Sequence, residues 1–571
     1  MMRCKPEIEP SASRTGDCSM LEPQSGSNTR HRWLPILLLV LTLGLTAAFV
    51  SRGITRGEFS INVDETIHAC SGLYFASFIH DLPLRHPVQY TFAYYAHYPA
   101  LGVIEYPPVF YVAEGVMFRF FGPSVLTARV TVLIFALLGA FFLFMTVSHL
   151  ADEWAAAACT LLVTLLPSVL LYEKANMLDL PAMALGLGAG YYWIRYLREE
   201  RVGFLYAFCT FAVLALLTKQ QAFYVLLWCL LTLLALRKWN LVLNRRGILS
   251  VCVCAAVLLP YYVYTVWLTL RVVVANVAHG AIPQSHPYIY YLIQLPEQLG
   301  WPLLLLGIAG IASCYWWGKR DNVVPMLLWI AACFIAETAM SNKVPRYIMY
   351  WIPPLVYFAV APLMLDKGPQ WVRAGLRIVA AGLLVQAGVS AWSYQRPYVS
   401  GYAGLAHRLL QEKQGVVLSD VRLPGDLIFF IRGSDPDKRF IIDRKALYVV
   451  RNLKKYGSVE LARSTEDVQN TMRRNGVKYV TIEEGMTLGF EAQHALRDLL
   501  RTKQFRLLGE FPVETNDPDF AGHRLLLYEN LQAVPPTAEV YRVKMMTLDE
   551  DITVPMSTMV DGASSSRSGN R

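Results

Sequence analysis

Residues 61–68 read Ile-Asn-Val-Asp-Glu-Thr-Ile-His and set Asp64 beside Glu65. They begin about a dozen residues after the apolar run Trp33–Val50, inside a loop that lasts until about Pro123. A carboxylate pair beside a bilayer is most simply a solvated face. The rest of the chain decides whether it is more, and that depends on how often the chain crosses the membrane.

The 571 residues are 54% hydrophobic and only 17% charged. Apolar runs recur at about 124–149, 153–172, 177–196, 203–218, 220–237, 247–268, 297–317, 323–341, 345–365 and 372–393. A helix needs roughly 20 apolar residues to cross a ~30 Å hydrocarbon core. Backbone polar groups in lipid must bond within their own segment, which selects helices. A membrane β-barrel would instead show alternating segments of about ten residues. With the first run, this predicts an all-α polytopic membrane protein of about eleven transmembrane helices. Arg30 and Arg32 precede the first run after a long hydrophilic leader, which reads as an uncleaved span and not a signal peptide.

Loop charge supports that count. Starting from an inside N-terminus, the inner loops hold Arg195, Arg198 and Arg201, then Arg237, Lys238, Arg245 and Arg246, then Lys319 and Arg320, then Lys367 and Arg373. The outer loops are poorer in Lys and Arg, as the positive-inside rule requires. The net charge of +9 is thereby accounted for, and no nucleic-acid partner is implied. The ten cysteines show no CxxC or Cys/His spacing and lie mostly in apolar runs, so they indicate neither a disulfide framework nor a zinc site.

Four units follow. Residues 1–32 are polar and read as a disordered cytoplasmic N-terminus. Residues 33–393 form the membrane domain, whose first outer loop spans 51–123 and carries surface helices at Asp64–His80 and Pro107–Phe121. Residues 394–532 alternate polar helices (Tyr402–Gln414, Thr465–Asn475) with short strands (Val416–Ser419, Lys478–Ile482, Arg524–Tyr528), the pattern of a small extracytoplasmic α/β domain. Residues 533–571 read as a disordered tail. The protein is expected in the inner or plasma membrane, surrounded by lipid.

Ionisable residues beside membrane helices are functional candidates. The outer ends carry Arg129, Glu173, Lys174, Asp179, Lys219, Arg271, Lys343 and Arg346, and the first loop adds Asp64, Glu65, Glu105 and Arg119. Any one Lys or Arg could simply lift its head to the interface. Asp179 and Lys219, set against Leu-rich helix, cannot reach far. Basic residues and paired carboxylates at a membrane surface suit sugar transfer from a polyprenyl-phosphate donor. The cations hold the phosphate, and a carboxylate takes the proton of the attacking hydroxyl. A single displacement inverts the anomeric carbon.

Several segments resemble one family. Val63-Asp64-Glu65-Thr66, Tyr106-Pro107-Pro108-Val109-Phe110-Tyr111 and Phe121-Gly122-Pro123 followed by Ala128-Arg129 are similar to the first outer loop of GT-C glycosyltransferases, in the aminoarabinose-transferase and protein-mannosyltransferase-like branches. Met177-Leu178-Asp179-Leu180-Pro181, Leu216-Leu217-Thr218-Lys219 and Ser341-Asn342-Lys343-Val344-Pro345-Arg346-Tyr347 resemble further family segments, in order, over 33–393. The resemblance implies a GT-C-like fold, Asp64 as catalytic base with Glu65 supporting it, and Lys219, Lys343 and Arg346 as donor-phosphate ligands. Glu105, Tyr106, Arg129, Lys174, Asp179 and Tyr347 would line the substrate pocket. Its partners would be a polyprenyl-phosphate-linked sugar and a glycan, lipid or protein acceptor. Two departures stand out: Tyr106 replaces the Lys that the aminoarabinose branch has before Pro-Pro, and Gln220 replaces the Gly that follows Leu-Thr-Lys.

No cofactor is expected. The i, i+4 spacing of Asp64 and His68 would allow both to reach a metal, but a histidine near an acid is the simpler reading. Two other functions compete. A flippase of lipid-linked glycans should hold its charges near the midplane on broken helices. A membrane-anchored sensor would centre on the C-terminal domain, which has neither a phosphate-binding Gly loop nor a nucleophile motif. Topology gives the first test. A reporter active only in the cytoplasm, fused after Trp392, should be silent, and strong activity would overturn the eleven-span count and its one-sided site.

Overall fold

The computed structural model describes residues 33–59, 63–103, 105–278, 288–317, 320–340, 343–361, 370–452, 457–545, 550–556 and 559. The leader 1–32 and the last residues of the expected tail lie outside them. Five described helices are long and apolar enough to cross a membrane: Leu34–Ser51, Val125–Leu150, Arg245–Leu268, Asn322–Ala339 and Ala374–Ser393. Two bent pairs raise the number to seven, Glu153–Leu165 with Pro167–Glu173 at 73° and Tyr290–Leu299 with Trp301–Trp316 at 113°. This is a multi-pass membrane protein, and beside these five to seven spans the described residues hold two shorter apolar helices, Val202–Leu216 and Gln220–Leu236. The run expected at 345–365 starts as a 3-10 helix, Pro345–Tyr350, before Ile352–Val360 becomes α-helical. Pro167 breaks the run expected at 153–172: Leu166 is extended, and the next helix starts on the proline.

The Asp179–Glu199 helix runs through the centre and is buried along most of its length. Its glycines make close neighbours possible: a Cβ at Gly190 would stand 2.7 Å from the Trp329 ring. Its own Trp193 and the neighbouring Trp228 and Trp329 are fully buried side chains. This helix fixes Asp179 at its own N-terminus, where the backbone dipole favours a carboxylate.

The first loop folds into three helices. Val63–Asp81 and Val109–Phe121 match the expected surface helices, and Pro87–His97 is an addition, started by a proline in its first turn. The outer two cross closely because Gly115 and Gly72 face the contact; a Cβ on Gly115 would lie 2.9 Å from the Ala76 nitrogen. Glu114 is sealed in this crossing with neither carboxylate oxygen bonded.

The C-terminal domain is a five-stranded mixed sheet in the order Phe440–Asp443, Gly415–Asp420, Val477–Glu484, Arg524–Asn530, Phe505–Pro512. The first three strands are parallel and the last two join antiparallel. Thr465–Asn475 begins with a capping box built by Ser464 and Asp467. The tail assignment needs correction: Val540–Met545 and Glu550–Pro555 form an antiparallel hairpin. Its alternating pattern buries Tyr541, Val543, Met545, Ile552 and Val554, a period-two signal that the polar surroundings conceal.

Two contacts seat this domain on the first loop. The Pro424–Ser434 helix packs on Val63–Asp81, and Cys70 Sγ donates to the Gly425 carbonyl. Glu58 caps the Tyr402–Leu410 helix, its carboxylate accepting from the backbone N–H groups of Gly401, Tyr402 and Ala403 at 3.2, 3.0 and 3.1 Å.

Burial drives the Glu114 carboxyl well above its ordinary 4.5, and nearby Glu65 adds to the rise. A raised folded value means that the folded state binds the extra proton, so stability is full below about pH 4.5 and declines as pH rises toward the folded value. Glu114→Gln should therefore melt above wild type in detergent at pH 7–8 and converge with it near pH 4.5. A constant difference across that range would refute the linkage.

Candidate active site

Four charged side chains from four separate segments meet at the end of the helical bundle that the C-terminal domain covers. Lys219 Nζ donates to Asp179 Oδ1 at 2.6 Å. Arg346 Nε lies 3.7 Å from Asp179 Oδ2, and its Nη2 donates to Asp64 Oδ2 at 3.1 Å. Exposure falls with depth. The Asp64 side chain is 33% exposed, Arg346 13%, Lys219 2% and Asp179 0%. The formal charges cancel within the set, which is how ion pairs survive in a low-dielectric interior.

Each member is held locally. Lys219 sits extended between the Val202–Leu216 helix and the 3-10 turn Gln220–Phe223, with its backbone N–H on the Ala215 carbonyl. Gln220 needs no left-handed backbone in place of glycine. Its amide donates instead to the Glu105 carbonyl at 2.8 Å and the Tyr261 hydroxyl at 2.9 Å, tying the first loop to a membrane helix. Tyr347 lies beneath both cations, 5.2 Å from Lys219 Nζ and 5.8 Å from the Arg346 guanidinium carbon. Tyr106 is in electrostatic contact with Asp64, Glu105, Tyr347 and Arg346 and stands edge-on to His68 at 5.2 Å.

His68 does not project with Asp64. It is buried, with Nδ1 2.8 Å from the Tyr111 hydroxyl. Burial, with Lys219 and Arg346 adding to it, pushes its pKa down to about 3, so the imidazole is neutral. Among the described residues no three His, Cys, Asp or Glu side chains group as a metal site would need.

Other expected site residues lie elsewhere. Glu65 is fully buried and turned away from Asp64, accepting from the Asn176 N–H at 3.0 Å with Arg396 Nη1 at 3.6 Å. Arg129 donates to the carbonyls of Ile54, Arg56 and Glu58 at 2.6, 3.1 and 2.7 Å, so it clamps the start of the loop. Lys174 Nζ bonds the Arg52 carbonyl at 2.9 Å, and Lys343 Nζ bonds the Met340 carbonyl at 2.9 Å. The geometry gives these four side chains structural partners outside the Asp64–Arg346–Asp179–Lys219 set. Adjacency in sequence could not reveal this, because the burial of Glu65 depends on Arg396, far away in the chain.

Glu58, Arg396 and Glu337 escaped the sequence reading. Arg396 donates to the carbonyls of Lys174 and Glu58 at 2.7 and 2.9 Å. Glu337, on a membrane helix, is buried with both oxygens unbonded, within electrostatic reach of Lys219 and Asp179. A lone acid in an apolar run is the signal that could have found it.

Comparison with known proteins bears on the fold. Residues 105–267 match the family model of dolichyl-phosphate-mannose-protein mannosyltransferases. ArnT from Cupriavidus metallidurans, solved bound to undecaprenyl phosphate, superposes with a TM-score of 0.56 at 14% identity, covering 89% of this chain and 100% of ArnT. The fold is that of the GT-C glycosyltransferases. The Archaeoglobus fulgidus oligosaccharyltransferase shares this fold (TM-score 0.54, 13% identity, 80% of this chain and 70% of the enzyme). So does the mycobacterial arabinofuranosyltransferase AftD (TM-score 0.50, 15% identity, 91% of this chain and 43% of AftD). No curated protein matches by sequence.

The Arg129 clamp is testable. Arg129→Met keeps much of the bulk but takes the donor from the part-buried Ile54 and Arg56 carbonyls, while the Glu58 carbonyl retains Arg396; a buried group left unsatisfied costs about 1–3 kcal/mol. The variant should melt well below wild type and resist rescue by added donor lipid. Unchanged melting with lost activity would instead assign Arg129 to the pocket.

Proposed function

We propose that the protein is a membrane glycosyltransferase that moves a sugar from a polyprenyl-phosphate-linked donor to an acceptor hydroxyl on the extracytoplasmic face, with inversion. The observation that carries this reading is the chain Asp64–Arg346–Asp179–Lys219, in which one half-exposed carboxylate is joined to two deep cations. Lys219 and Arg346 are the groups suited to the donor phosphate. The capture of undecaprenyl phosphate by ArnT, with the same fold, supports a donor of that class. Asp64, nearest the surface, is the group suited to the acceptor.

The step balances without an external reagent. Asp64 takes the acceptor O–H proton as that oxygen forms its bond to the anomeric carbon. The bond from that carbon to the phosphate oxygen breaks, and the departing phosphate keeps the electron pair. Lys219 and Arg346 stabilise the charge that develops there, in a site preorganised by Asp179 and Tyr347. Asp179, touching both cations, acts through them as a positioning residue. Lys343 places one of its three N–H donors on the Met340 carbonyl and keeps the others for the donor phosphate, as a secondary ligand beside Lys219 and Arg346.

A paired measurement in nanodiscs separates the roles. Asp64→Asn keeps size and hydrogen-bond acceptance but cannot take the proton, so turnover should fall about 10²–10⁴-fold with donor binding intact. Lys219→Ala should weaken donor binding, and Lys219→Arg should restore it only in part because the two cations differ in shape. Full activity in Asp64→Asn, or wild-type donor affinity in Lys219→Ala, would refute the corresponding assignment.

A further inference from the structure

The first loop and the C-terminal domain also meet above the site, beside Glu105. The Pro87–His97 helix packs on the strand Phe440–Asp443 and on both strands of the final hairpin. Four cations of the domain face the first loop at this junction. Lys438 has an acid to answer it, Asp81 at 3.8 Å. Arg432 donates to Ser77 Oγ at 2.8 Å and to the Asp435 carbonyl at 3.2 Å. Arg444 and Lys445, adjacent just after the strand, have no carboxylate within ion-pair distance among the described residues. Lys445 Nζ donates only to neutral oxygens, the Tyr95 hydroxyl and the Lys544 carbonyl. The Arg444 side chain makes no hydrogen bond among the described residues, and its buried Nε lacks a partner.

Two half-buried neighbouring cations with no ion pair among the described residues are costly unless something anionic reaches them. Burial and the neighbouring Arg444 push the Lys445 pKa down to about 7, and Glu105, the acid in its electrostatic reach, offsets this only in part, so an arriving anion would favour the charged ammonium. Glu105 also connects the pair to the chemistry: it adjoins Tyr106, which contacts Asp64 and Arg346 electrostatically. Tyr95 lies between, interacting with both Arg444 and Glu105. We propose that Arg444 and Lys445 form an anion subsite that receives a carboxylate or phosphate carried by the acceptor, beside the sugar whose hydroxyl is presented to Asp64. This rests on the glycosyltransferase reading for the word acceptor, while the subsite itself stands on the unpaired cations. Arg444 offers a planar fork for two oxygens and Lys445 a point charge beside it. The C-terminal domain would then select acceptors, and acceptors lacking an anionic group would bind weakly.

The test uses the full chain in nanodiscs and three soluble probes: a galacturonic acid disaccharide, glucose 6-phosphate and the neutral disaccharide lactose. Wild type should bind at least one charged probe about tenfold or more tightly than lactose, as a charge-assisted contact implies. Preference for the uronate or for the phosphate identifies which anion the subsite takes. Arg444→Gln with Lys445→Gln should erase the preference and leave polyprenyl phosphate affinity unchanged, whereas Arg444→Lys should retain part of it. Equal binding of charged and neutral probes to wild type would overturn the proposal. So would a preference that survives the double substitution, or an Arg444→Lys variant as deficient as Arg444→Gln, which would mark a purely structural role. Should Asp64→Asn leave transfer untouched while the charged probes still need Arg444 and Lys445, the fault lies in the catalytic reading and not in the subsite.

Discussion

Arg346 is shared between two carboxylates, and the functional end of the molecule depends on that sharing. It reaches Asp64 on the surface side and Asp179 on the deep side, and Asp179 in turn holds Lys219. Removing one partner of a buried pair leaves a naked charge and typically costs about 3–5 kcal/mol. The set is therefore a structural rivet, joining the first loop, the central helix, the Lys219 turn and the 3-10 helix Pro345–Tyr350, and in the proposed reaction it also receives the donor phosphate. An incoming phosphate adds a negative charge to a neutral set. The carboxylate able to yield at least expense is Asp64, the one already facing solvent.

Around that set, the chain uses backbone carbonyls as anchors for cations. Arg129, Lys174, Arg396 and Lys343 all end on main-chain oxygens. This converts loop segments with few apolar residues into fixed structure. It also explains why the neighbourhood is rich in positive charge although, among the described residues, the cations paired with the Asp64 and Asp179 carboxylates are Arg346 and Lys219.

Much of this was legible in the residues. Apolar run length found the membrane helices, and two first-loop helices emerged within a residue or two, at Val63–Asp81 and Val109–Phe121. Asp179 and Lys219 stood out because a charge against Leu-rich helix has nowhere to retreat. Three things were not legible. Pro167 broke the run at 153–172 into a bent pair, and Gly300, at positive φ, turned Tyr290–Leu299 away from Trp301–Trp316. The paired carboxylates Asp64 and Glu65 parted company, because successive helical positions point about 100° apart and the partner that claims Glu65 comes from Arg396. The final hairpin hid in polar sequence, since its five inward residues alternate with polar ones and gain their burial from the domain beneath them and from the Pro87–His97 helix of the first loop.

The Glu58 cap has a practical consequence for building chimaeras. The N-terminus of the Tyr402–Leu410 helix is completed by a carboxylate that lies in the membrane domain's first loop, more than three hundred residues earlier in the chain. The two domains are thus not modules that can be cut at residue 394 and exchanged. A transplanted C-terminal domain would arrive with an open helix end and an unmatched Arg396, and the recipient would keep an acid with no amides to satisfy it. A working exchange has to carry the short segment around Glu58 along with the domain, so the natural seam between them runs through space and not along the sequence.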